Sequence, residues 1–242
     1  LLVDGSDPTI LNVAQQLVNF PVGGAASNTG PLFELRNYYN PERRSAVQIV
    51  PALIGVILTM TMVLFTAVAI VRERERGNLE LLITTPVTTL ELMSGKLLPY
   101  VAIGLLQVTI VLLVGQWLFG VPFRGQVTDL YLAALVFIAA SLTLGLLIST
   151  VARSQFQAMQ LTLFVFLPSI LLSGFMFPFD GMPVIAQRIA EVLPLTHFVR
   201  LVRGIVLRGA EVGEMMPEIY ALLAFFAAAM SLAVLRFRKR LD

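Results

Sequence analysis

Apolar residues run through this chain in five long blocks separated by polar connections. The blocks cover about 51–71, 97–119, 130–152, 158–177 and 219–235. Each is close to the roughly 20 residues a helix needs to cross a bilayer core. None has a charged residue in its interior, and the last has no charge between Glu218 and Arg236. Helices of this length that are apolar on every side are membrane spans in preference to buried core helices. The pattern predicts an all-α integral membrane protein with five spans, in which Pro99 and Pro168 mark kinks.

The connections carry their own patterns. In 72–96, Arg72-Glu73-Arg74-Glu75-Arg76 continues the first span as a charged helix, with Arg76 and Glu80 spaced to support it. Leu79, Leu82 and Ile83 form an apolar stripe, Pro86 breaks the run, and Thr88-Thr89-Leu90-Glu91 restarts a helix with a capping-box pattern. Two readings suit this short amphipathic element: docking in a cleft of a cytoplasmic partner, or a basic anchor lying on the headgroups. In 178–218, Asp180 is placed to cap a helix starting near Pro183, with Val184, Ile185, Ile189, Val192 and Leu193 on one side. Pro194 then breaks it and Thr196 caps another, where Phe198, Leu201, Val202, Ile205 and Val206 share a face and Arg200 and Arg203 lie off it. Such a pair is either a re-entrant outer gate, with Phe198, Leu201 and Arg203 as its candidate residues, or a helical cap lying on the bilayer.

Residues 1–50 differ in texture. Asp4-Gly5-Ser6-Asp7-Pro8, Gly23-Gly24 and Gly30-Pro31 are breakers, and Phe33 to Tyr39 alternates like a strand. This stretch reads as the C-terminal end of an extracytoplasmic domain and the approach to the membrane, with 51–242 as the transmembrane domain. A chain that enters from outside without its own signal implies an earlier span.

Composition agrees with the pattern. Hydrophobic residues make up 57% of the 242 and charged residues 13%, against roughly 25% charged in a soluble domain. A net charge of +2 gives no reason to expect nucleic acid, and with no cysteine, thiolate metal sites and a catalytic thiol are excluded. Arg and Lys decide orientation. They are dense in 72–96, at Arg153 and in the tail Arg236, Arg238, Lys239 and Arg240. The opposite connections, 1–50, 120–129 and 178–218, spread theirs among acids. The dense side, including the C-terminus, is expected in the cytoplasm, and residues 1–50 outside.

Candidate chemistry is sparse. His197 is the single histidine, and a lone histidine beside a helix start is more often an interfacial or capped residue than a base or ligand; a metal site needs three or four converging donors. No catalytic residue and no metal site is therefore assigned. Ser94-Gly95-Lys96 lacks the upstream glycine and following hydroxyl of a phosphate loop. Gln107, Gln116, Gln157 and Gln160 suit interhelical hydrogen bonds, with a polar pathway as the less common use. Ser141-xxx-Gly145 and Ala227-xxx-Ser231 permit close helix packing.

The run from Arg72 through Gly77-Asn78-Leu79-Glu80-Leu81-Leu82-Ile83-Thr84-Thr85-Pro86, followed by Glu91 and Gly95-Lys96, resembles the cytoplasmic signature of ABC type-2 permeases, with Asn78 where threonine is usual. Tyr38-Tyr39-Asn40-Pro41-Glu42 resembles that family's approach to the membrane, and Pro194-Leu195-Thr196-His197-Phe198 through Arg203-Gly204-Ile205 its outer re-entrant helices. The resemblance implies six spans per subunit, a large extracytoplasmic insert after the first, and a second permease subunit, identical or paralogous. It also implies a coupling helix at about 72–86 that docks on a cytoplasmic ATPase dimer. Arg76, Gly77, Leu79, Glu80, Leu82, Ile83, Pro86 and Glu91 would then form the coupling surface, with ATP and Mg held by the ATPase and no cofactor on this chain. The implied function is an exporter permease of a bacterial inner membrane, moving a drug-like or lipid-like amphiphile, in contact with lipid and with a periplasmic adaptor as a further expected partner. The alternative is a non-transporting scaffold or mechanical signal transmitter.

Overall fold

The computed structural model describes residues 2–4, 36–38, 45–76 and 89–238. Two three-residue strands, β1 (Leu2–Asp4) and β2 (Arg36–Tyr38), pair in parallel. β2 lies inside the stretch that alternates in the sequence. The other regular structure among the described residues is helical, with the α-helices α1 (Ser45–Glu75), α2 (Thr89–Phe119), α3 (Val127–Val151), α4 (Gln155–Leu172), α5 (Val184–Ala190), α6 (Pro194–Arg203) and α7 (Met216–Arg238). Among the described residues, five of these are long and apolar enough to cross a membrane, namely α1, α2, α3, α4 and α7. A helix closes its backbone hydrogen bonds within itself, which is why unbroken apolar runs take this form where water is absent.

The spans start and stop at places the apolar pattern does not mark. α1 begins at Ser45, six residues before Pro51, and runs on through Arg72 and Arg74. α4 stops at Leu172 instead of reaching 177, because Ser173 caps it and Gly174 takes a left-handed φ of 79° that a side chain would resist. The polar connections Asp4–Pro8, Gly23-Gly24, Gly30-Pro31, Tyr39–Glu42, 77–88 and the end of the basic tail lie wholly or mostly outside the described residues.

α1 and α3 are the buried centre, while α2, α4 and α7 wrap them and turn apolar side chains outward; Trp117 on α2 is 93% exposed. Gly145 on α3 explains the tight central pair. A Cβ there would stand 2.6 Å from the Val63 carbonyl oxygen and 2.8 Å from Thr66 Cβ on α1. This is the close approach that the Ser141-xxx-Gly145 spacing permits. Ala227 and Ser231, by contrast, are exposed. Hydroxyls in the spans turn back on their own helices, as with Thr59 to the Gly55 carbonyl at 2.7 Å and Thr162 to the Ala158 carbonyl at 2.8 Å. Thr61 also donates to Gln107 Oε1 at 2.8 Å, joining α1 to α2.

Connections gather on two faces. On one, which we term the basic face, the end of α1 meets the link between α3 and α4, and Ala233 of α7 packs near Ile70 and Leu146. On the other, the α2–α3 loop meets the end of α6 through Arg124 N to the Val206 carbonyl at 3.0 Å, and Asp129 accepts from Val212 N at 3.2 Å.

Candidate functional site

The two short helices behave differently. α5 lies open, with Ile185 77% exposed and Val184, Ile189 and Val192 exposed beside it. Asp180 does not cap it. That residue sits in a separate turn, Phe179–Gly181, and α5 starts from Pro183 without a side-chain cap. α6 is inserted into the bundle. It begins at Pro194 itself and not at Thr196, because proline's fixed φ and missing N–H suit the first helical position. Thr196 is therefore an interior residue, fully buried, and caps nothing. The stripe read from the sequence is the buried face: Phe198, Leu201, Val202, Ile205 and Val206 are all in the core. Phe198 stacks on Phe137 of α3 with ring centroids 4.2 Å apart and planes 7° from parallel. It fits because Gly55 of α1 has no Cβ; one there would meet the ring at 2.8 Å. α6 then widens into a π-helical turn, Gly204–Arg208, closed by Gly209 at φ 72°.

Charged groups tie this inserted helix to its surroundings. Of the candidate gate residues, Phe198 and Leu201 lie in the core and Arg203 donates to the Gly174 carbonyl at 3.0 Å. The hub is Glu218, at the start of α7. Its carboxylate takes Arg200 Nη1 at 3.2 Å on one oxygen and His197 Nδ1 on the other. His197 Nε2 faces the Glu191 carbonyl at 2.8 Å, and the Arg200 guanidinium stands 4.4 Å from the Phe179 ring centre. Both imidazole nitrogens thus face acceptors, an arrangement that only the doubly protonated ring satisfies. Burial draws the His197 pKa down, but the bonds to Glu218 and Glu191 and the charge of Glu218 outweigh it and hold the value above the usual histidine range.

The sign follows from linkage. A histidine whose folded pKa is raised contributes stability that is present in full below its unfolded pKa and is lost as pH rises through the folded one. Purified protein is therefore expected to melt at a higher temperature than His197→Gln at pH 6, with the gap shrinking as the pH is raised to about 9. A gap that is constant across that range would show that the imidazolium is not the stabilising form.

The basic face carries the second constellation. Arg74 donates through Nη1 to the Ser149 carbonyl at 3.2 Å and through Nη2 to the Ala152 carbonyl, both at the end of α3. Glu75 accepts from Gln155 N at 3.0 Å and from the Gln155 side-chain amide, at the start of α4. Ser154 caps α4 by accepting from Gln157 N, and Gln157 Oε1 accepts from Arg153 N at 2.7 Å. Gln157 is thus a capping residue, while Gln116 and Gln160 are exposed. Leu64, Phe65, Val68, Ala69 and Arg72 of α1, with Tyr100 of α2 and Met159 of α4, line an open, mostly apolar groove of about 280 Å³. Of the expected coupling residues, Arg76 is exposed in the turn after α1; Gly77, Leu79, Glu80, Leu82, Ile83 and Pro86 lie outside the described residues. Glu91 falls in the first turn of α2, with its side chain undescribed. No cluster of donors suited to a metal occurs among the described residues.

Sequence reasoning missed Glu218 and the Arg74–Glu75 pair as joints. Glu218 had one visible signal, an acid standing alone at the membrane edge of an apolar run.

The profile of the ABC-2 type transporter family matches residues 10–207. The chain is similar to "Probable multidrug ABC transporter permease YbhS" of Escherichia coli (strain K12), 34% identical over all of this chain and 67% of that protein. It is also similar to "Probable multidrug ABC transporter permease YbhR" of the same strain, at 34% over 85% of this chain and 56% of that protein. "Inner membrane transport permease YhhJ", again of that strain, is 33% identical over 95% of this chain and 62% of its own length. The chain thus spans little more than half to two thirds of these curated relatives.

Proposed function

Since the chain belongs to the ABC-2 type transporter family, we propose that it acts as the permease subunit of an ATP-driven exporter, moving a drug-like or lipid-like amphiphile out across a bacterial inner membrane. The observation that carries this reading is α1, an apolar span that continues unbroken into the charged stretch Arg72–Glu75 and leads straight into the amphipathic segment 77–88. An apolar helix that ends as a charged handle is suited to receive a push from outside the bilayer. The basic face would be cytoplasmic and the α5–α6 face outside, with residues 1–50 on that outer side as the end of an extracytoplasmic domain. Phe198, Leu201 and Arg203 would then hold the outer gate shut.

ATP and Mg would sit on a cytoplasmic ATPase dimer that docks on the segment from Arg76 to Pro86 and on Glu91. A second permease, identical or paralogous, would complete the path, with the apolar groove between α1, α2 and α4 as one of its walls. The exposed apolar faces suit lipid or that second subunit, and a periplasmic adaptor would extend the route.

Reversing charge on the docking stripe tests the reading. Glu80→Arg with Leu82→Asp, in permease co-purified with its ATPase, is expected to abolish the permease-dependent part of ATP turnover, a loss of about tenfold or more. Unchanged turnover would remove the docking role. Vesicles that hydrolyse ATP but never move an amphiphilic dye would favour a mechanical transmitter over an exporter.

A further inference from the structure

A helix leaves its first N–H groups and last C=O groups without intrahelical partners. At the turn joining α3 to α4, residues 75 to 80 positions away in sequence supply several of those partners. One guanidinium, Arg74, takes two orphan carbonyls at the end of α3, and one carboxylate, Glu75, takes the backbone N–H and side-chain amide of Gln155 at the start of α4. Beneath them Val63, Ala67 and Val71 of α1 pack with Ile148, Ala152 and Ala158 in a single buried cluster. If the end of α1 moved away alone, it would break four hydrogen bonds and open that cluster. Three helix ends are therefore one mechanical piece.

We propose that Arg74 and Glu75 are positioning residues which transfer movement of the segment after α1 into the α3–α4 turn, so that α1, α3 and α4 shift together. The inference rests on the exporter reading above, and it names where the push goes. α1 and α4 supply two of the three walls of the apolar groove, at Phe65 and Met159, while the third wall, Tyr100 on α2, takes no part in the Arg74 and Glu75 bonds. Movement of the unit changes the groove at its α2 side.

The test is a swap at the Glu75–Gln155 bond, in the full permease assembled with its ATPase in lipid nanodiscs. Gln155→Glu alone sets a second carboxylate against that of Glu75, while a carboxylate at a helix start is itself favoured by the helix dipole, so the variant is expected to fold. It is expected to lower permease-dependent ATP turnover about fivefold. Glu75→Gln combined with Gln155→Glu keeps the backbone N–H of residue 155 as a donor, now to the amide oxygen at position 75, and rebuilds the side-chain bond with its donor and acceptor exchanged; it should restore turnover to near the parental level. Melting temperature read beside turnover separates the roles: a residue that merely stabilised the fold would lower turnover only in step with the melting temperature, whereas here turnover falls in Gln155→Glu while the melting temperature stays near the parental value. Because the chain contains no cysteine, Glu75→Cys with Gln155→Cys can also be joined by a short bifunctional thiosulfonate reagent, which leaves a reducible disulfide at each end. Joining should raise the depressed turnover of the unlinked pair. Parental turnover in Gln155→Glu, failure of the swap to rescue, or a linker that stops turnover until it is reduced would each overturn the proposal. A parental complex without permease-dependent turnover would instead overturn the exporter reading.

Discussion

Phe198→Ala is expected to destabilise the folded chain by about 3–4 kcal/mol, read as a lowered melting temperature or an earlier denaturation midpoint in mixed micelles. The ring is fully buried, stacked on Phe137 and seated over Gly55, so its removal leaves a hole that three helices must share. Relaxation is restricted because α1 and α3 are already in backbone contact at Gly145. Phe198→Leu keeps most of the volume and should cost less than half as much. If alanine and leucine were equally mild, α6 would not be seated as a wedge, and the proposal that it forms an outer gate would lose its physical basis.

The second large effect is expected at Gly145. Alanine there must push the Val63 carbonyl or the Thr66 side chain aside, at about 1–2 kcal/mol, whereas leucine cannot be housed without separating α1 from α3 and should cost about 3 kcal/mol or more. The check is monodispersity on size exclusion together with thermal melting. Gly181, where nothing stands within 4 Å of an added Cβ, serves as the control and should accept alanine without loss. A Gly145→Leu protein that melts like the parent would mean that the two central helices are not in close contact.

These sites show unequally how much a single chain discloses. The five spans, the helical extension Arg72–Glu75 and the buried stripe Phe198–Val206 were legible, because each is a local property with a period or a length. Helix starts were less so. Pro194 reads equally as a breaker and as a first helical residue, and what decides is the packing of Leu195 and Phe198 into the core. Asp180 has the right chemistry for a cap, yet the turn at Phe179–Gly181 takes it out of position. Glu218 and Glu75 were not legible as joints at all. Their partners lie 21 and 80 positions away, and hydrogen bonds across such separations impose no periodicity on the residues between. The groove at Phe65 was hidden for the same reason, since its walls come from three helices.

α1 has 31 residues without interruption, so at 1.5 Å per residue it is a rod about 45 Å long. Were it to pivot near its middle, a tilt of about 5° would carry each end roughly 2 Å, in opposite directions. One half ends at Arg74 and Glu75, and the other holds Gly55 against Phe198. Gly55 stands five residues from that midpoint, so the same tilt would shift it by about 0.7 Å, against a ring so close that an added Cβ would lie 2.8 Å from it; leverage applied at one end would therefore be felt at the seat of Phe198.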